Sequence, residues 1–134
     1  MKTIFAAMAL LVGSATAQAQ QVDVGTGDWT QLPTARNLRS MTISEAAMQR
    51  VEAIGRRRTC AVPGLGPRRI SLSVPFTIRF DEERRAQRIV LRDLGCPELE
   101  TVLGRVVQGM AARGAYAPSG GPGWYRNALE FTIE

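Results

Sequence analysis

Two cysteines, two pairs of neighbouring carboxylates and a run of arginines are the residues of this chain that could do chemistry or hold a ligand. Cys60 and Cys96 are the only thiols. Asp81 with Glu82, and Glu98 with Glu100, are close enough in sequence to divide acid and base roles between them. Arg56, Arg57, Arg58, Arg68 and Arg69 gather the densest positive charge. Histidine is absent, and Lys2 is the only lysine. That removes the commonest general base, the commonest metal ligand and every Ser-His or Cys-His nucleophile pair. The expectation is no catalytic residue, no metal and no cofactor.

Each group also has a structural use. In an exported chain an even pair of cysteines reads first as a disulfide, here Cys60 to Cys96. Closing that loop would restrict the unfolded chain by about 4 kcal/mol in the entropy model. A sharper alternative makes Cys96 a reactive thiolate at a helix N-terminus, and two thiols are too few for a zinc site. The acids of "DEERR" read as a solvated turn, with no apolar pocket nearby to raise a pKa. Arg56 to Arg58 follow a helix, where its dipole welcomes cations. Their functional alternative is binding to anionic envelope polymer through phosphate or carboxylate groups.

The elements that must position these residues begin after a leader. "MKTIFAAMALLVGSATAQAQ" has a charged n-region at Lys2, an apolar run to Val12 and a small-x-small site at Ala17-Gln18-Ala19. It reads as a cleaved signal peptide over residues 1–19, too short to span a bilayer. The mature chain is then expected in the periplasm or secreted, with no transmembrane segment. Removing Lys2 takes the net charge from +5 to +4, all of the cations being arginine. Export, and the lack of basic-aromatic interleaving, argue against nucleic acid. What remains is one small domain.

Residues 20–41, "QQVDVGTGDWTQLPTARNLRSM", read as an irregular arm with a short strand at Gln21 to Val24 and with Trp29 pinning it to the body. The domain proper spans 42–134. Thr42 to Ile54 is predicted helical, with Thr42 and Glu45 at capping-box spacing and Gly55 as its stop. "RISLSVPFTIRF" alternates without a break, so Ile70, Leu72, Val74, Phe76, Ile78 and Phe80 share one face of a strand. Pro75 within it suggests an edge strand or a bulge. Ala86 to Leu94 is the return strand of a hairpin. Pro97 to Arg113 is the clearest helix, with Pro at its start, acids in its first turn and Gly114 just past its end. Its stripe of Leu99, Val102, Leu103, Val106 and Met110 is what the strand's apolar face should meet. "WYRNALEFTIE" closes the chain as a strand, Tyr125, Leu129, Phe131 and Ile133 on one face and Asn127 interrupting it. The sum is an α+β fold: a small antiparallel sheet of about three strands with two helices packed on one face.

The run from "VPFTIRFDEERRAQRIVLRDLGCPELETVLGRVVQGM" to "WYRNALEFTIE", with "SEAAMQRVEAIG" ahead of it, resembles the TonB carboxy-terminal domain family. The likeness lies in the order and spacing of elements over residues 43–134. The family's Trp-x-Phe-x-Pro stretch is reduced to "GAYAP", and its membrane anchor and Pro-rich spacer have no counterpart. Without them the module is not expected to transmit force from an inner-membrane motor by itself. The resemblance implies that an extended peptide of an envelope protein adds as a strand along Trp124, Tyr125, Arg126, Asn127, Leu129, Phe131 and Ile133. The same edge would allow a homodimer, and Arg126 beside it would suit an acidic peptide. An unpaired edge offers such pairing in any sheet.

Overall fold

The computed structural model describes residues 21–134, so the expected signal peptide lies outside the described residues. Strand β3 (Ile70–Phe80) is the centre of a four-stranded sheet. Antiparallel to it on one side runs β4 (Ala86–Arg92), and on the other β6 (Gly123–Ile133). The predicted strand at the chain's start is β1 (Gln21–Gly25), and it joins β4 in parallel. The sheet order is therefore β1-β4-β3-β6, four strands and mixed, where three antiparallel ones were expected. Two short strands, β2 (Arg36–Asn37) and β5 (Tyr116–Ala117), pair separately. The arm over residues 20–41 is accordingly not irregular throughout, because it supplies β1 and β2.

All six apolar residues of β3 are buried. They form one core with Ile89 and Leu91 of β4, Tyr125 and Leu129 of β6, and the inner stripes of both helices. Helix α2 (Pro97–Ala112) contributes Leu99, Val102, Leu103, Val107 and Met110, and Val106 sits half-buried at the rim. Helix α1 (Glu45–Arg57) contributes Val51 and Ile54. Two edge-to-face aromatic pairs lock the layer, Phe76 with Tyr116 and Phe80 with Tyr125.

Three local expectations are corrected. First, α1 starts at Glu45, capped by Ser44, whose hydroxyl accepts from the Ala47 amide at 3.2 Å. Ser44 reaches the third amide of the helix, so Thr42 and Glu45 do not make a capping box. Second, the helix does not stop at Gly55 but runs on to Arg57, with Arg58 in the left-handed conformation at φ 54°. Gly55 is needed for close approach instead: a Cβ there would lie 2.8 Å from the Gly66 carbonyl oxygen. Third, Pro75 is in the central strand, not on an edge. The β3–β4 ladder begins at Phe76 opposite Leu91, so the missing amide faces the side where pairing has ended. Facing β6, Pro75 is paired with Ala128, whose amide bonds elsewhere.

Cys60 and Cys96 form a disulfide, Cα atoms 5.6 Å apart, tying the loop after α1 to the start of α2. Neither thiol is free, which removes the thiolate reading of Cys96. The double variant Cys60→Ser/Cys96→Ser should lose about 4 kcal/mol in urea unfolding relative to the oxidised chain. Unchanged stability on reduction would show that the bridge adds nothing to this core.

Candidate functional site

Where the sheet stops pairing is decided at Arg126. Its amide donates to the Pro33 carbonyl and its carbonyl accepts from the Ala35 amide, both at 2.9 Å, in a parallel bridge centred on Thr34. Both backbone groups of Arg126 therefore point away from β3. Backbone polarity alternates along a strand, so Ala128, Glu130 and Thr132 also point outward. The Ala128 amide is taken by the Asn127 side-chain oxygen at 2.7 Å. Among the described residues nothing pairs with the outward backbone of Glu130 or Thr132. The edge of β6 is closed at Arg126 and open beyond it.

The closing segment comes from the arm. Leaving β1 at Gly25, residues 26–34 pass along the sheet face opposite the helices and reach the β6 edge at Thr34. Several contacts hold this strap. The Arg92 guanidinium stacks 3.9 Å over the Trp29 ring and donates to the Gly27 carbonyl at 2.6 Å. The Asp28 carboxylate accepts from the Thr30 hydroxyl at 2.6 Å and the Thr30 amide at 3.0 Å. These Thr30 bonds hold the Asp28 carboxyl below its ordinary range. Beyond Thr34 the Asn127 carboxamide donates to the Ala35 carbonyl and to Asn37 Oδ1, at 3.1 and 3.0 Å. The residue that interrupts the apolar face of β6 is thus the clamp that holds the strap.

Between strap and sheet lies a groove of about 480 Å³ whose walls include Trp29, Thr34, Pro75, Arg92, Arg126 and Ala128. Arg126 is exposed, and no ion pair involves it among the described residues. Along the open edge, Phe131 and Ile133 are half-buried against the core on the helix side. The outer side is polar: Ser73 donates to Glu130 at 3.2 Å, and the Ser71 and Thr132 hydroxyls are 3.5 Å apart. Trp124, Arg126, Ala128 and Thr132 belong to this outer face, while Tyr125, Asn127, Leu129, Phe131 and Ile133 belong to the inner one. The seven edge residues named from sequence are therefore one strand but two faces. Tyr125 is committed to structure, its hydroxyl donating to Gly121 and accepting from the Gly120 amide.

The arginine run is mostly paired. Arg56 meets Glu52 at 3.8 Å, Arg57 meets Glu98, and Arg69 meets Glu134 at 3.6 Å. Arg58 and Arg68 are exposed without an ion pair among the described residues. The carboxylates are occupied too. Asp81 accepts from the Arg85 amide and from Gln87, both at 2.8 Å, within the hairpin turn; the backbone bond chiefly holds its carboxyl below the ordinary range. Buried Glu100 accepts the Leu94 amide at 2.6 Å, and Glu98 is bound to Arg57. Among the described residues no group of three or more Cys, Asp or Glu could hold a metal ion, and no helix is long and apolar enough to cross a membrane.

Comparison with known protein families, curated proteins and solved structures finds no match. Trp29 does pin the arm to the body, as expected, but the route of the strap, Arg92 as the partner of Trp29 and the Asn127 clamp were not foreseen from the sequence. The available signal was a lone Trp in a polar stretch together with an Asn on an apolar face.

Asp28 makes the strap acid-sensitive. A depressed carboxyl contributes order that is present above its unfolded pKa of ~3.9 and is lost as pH falls through its lower folded value. The Thr30 amide resonance should therefore shift on acidification below about pH 4. In Asp28→Asn that titration should vanish.

Proposed function

We propose that this chain is an exported, non-catalytic binding module that takes an extended segment of an envelope protein as an added strand along β6. The observation that carries the reading is the outward backbone of Glu130 and Thr132, unpaired among the described residues and flanked by the half-buried side chains of Phe131 and Ile133. Such an edge supplies main-chain hydrogen bonds for affinity and alternate side-chain positions for selectivity. A partner's inward residues would be apolar, to complete the cover over Phe131 and Ile133. Its outward residues would be small, polar or basic, beside the Ser73–Glu130 pair. The resemblance to the TonB carboxy-terminal domain family, and the leader-like start of the sequence, support the same reading. So does the structural use already made of Asp81, Glu98 and Glu100.

A second copy of the chain could meet the same edge and pair with it as a homodimer. Attachment to anionic envelope polymer keeps Arg58 and Arg68 as its free cations. Binding by that route would weaken steeply as salt is raised.

The proline positions separate edge binding from folding. Glu130→Pro removes an amide that faces outward, so the β3–β6 ladder survives and the chain should stay folded. Leu129→Pro instead removes an amide facing β3 and a buried side chain, with a loss of about 2–5 kcal/mol from the core alone. In a crosslinking pull-down from the host's envelope fraction, the oxidised wild-type domain should capture a protein with an extended segment. Folded Glu130→Pro should not. Equal capture by both would mean that the edge is not the binding surface.

A further inference from the structure

We infer that the strand β6 accepts is the carboxyl-terminal end of its partner, running antiparallel to β6, with its terminal carboxylate held by Arg126. This rests on the edge-binding reading above. The strap fills the ladder position beside Arg126 through Pro33 and Ala35, so an added strand can pair at Thr132, Glu130 and Ala128 and no further. An internal segment must bend away at that point. A chain end does not.

Direction follows from charge. An antiparallel strand reaches Ala128 with its carboxyl end and a parallel strand with its amino end. The groove at that spot is lined by Arg92 and Arg126. Arg92 is committed to the Trp29 ring and the Gly27 carbonyl, whereas Arg126 has no ion pair among the described residues. Asp28 also lines the groove, and its negative charge is set against the neighbouring Arg92, which leaves the Arg126 charge over. The free charge facing an incoming terminus is therefore positive, which selects a carboxylate over an ammonium.

Asn127 completes the stop. Its oxygen already occupies the Ala128 amide, so the partner's last residue has no ladder donor to satisfy with its own carbonyl. That residue can donate its amide to the Ala128 carbonyl while its carboxylate turns to the Arg126 fork. The site is thus a strand groove with a closed end.

The test is a selection of random heptapeptides against the disulfide-bonded chain from two libraries, one with free carboxyl ends and one with those ends fused to a carrier. Binders should come from the free-ended library alone. Synthetic versions should weaken about tenfold to a hundredfold on amidation, and by a similar factor against Arg126→Gln. Binding should disappear with Glu130→Pro. Equal enrichment from both libraries, abolished by Glu130→Pro, overturns the terminal-carboxylate inference and leaves edge binding standing. Enrichment from neither library overturns both.

Discussion

The six apolar side chains of β3 on one face are the constraint on which the rest of the structure depends. Ile70, Leu72, Val74, Phe76, Ile78 and Phe80 are all buried, and no two-stranded hairpin could bury them. They require a helix layer on one side and a flanking strand on each edge of β3. The helix layer is anchored twice: α2 lays its stripe on the face, and the Cys60–Cys96 bridge ties the α1 exit loop to the α2 start. Both flanks of β3 are then occupied, which moves the sheet's free edges outward to β1 and β6.

The two edges are not alike. β1 ends in a segment that passes along the outer face and reaches β6, so the chain closes part of its own second edge. Closure costs the strap its conformational freedom, and short polar contacts hold it: the Arg92–Trp29 stack, the Asp28–Thr30 turn and the Asn127 clamp. The covered position is Arg126, and towards the C-terminus Glu130 and Thr132 have no backbone partner among the described residues. Edge strands left bare are prone to unwanted pairing, and a strap that protects one end while leaving the other open limits what can add and where it must stop.

How much of this could be read from the sequence depends on whether the cause was local. The alternation of β3 and the start and stop signals of α2 are local patterns, and both elements lie where those patterns put them. The cysteine pairing followed from an even count in a chain expected to be exported. The start of α1 was misplaced because Thr42–Glu45 matches a capping-box spacing, while Ser44 two residues on makes the cap. Pro75 suggested an edge only because the length of the β4 ladder is set elsewhere in the chain. The parallel pairing of β1, the route of the strap and the purpose of Asn127 join residues about 65 to 92 positions apart. Hydrophobic period carries no record of such contacts, so the open edge was legible as a strand and its closed end was not.

The most direct measurement is residue-resolved amide hydrogen exchange along β6 in the isolated, oxidised domain. Arg126 should be protected together with Leu129 and Phe131, because its amide is bound to Pro33, whereas Glu130 and Thr132 should exchange close to the rate of unstructured chain. Protection of Glu130 and Thr132 equal to that of their neighbours would show the edge already paired, and would contradict an open binding strand.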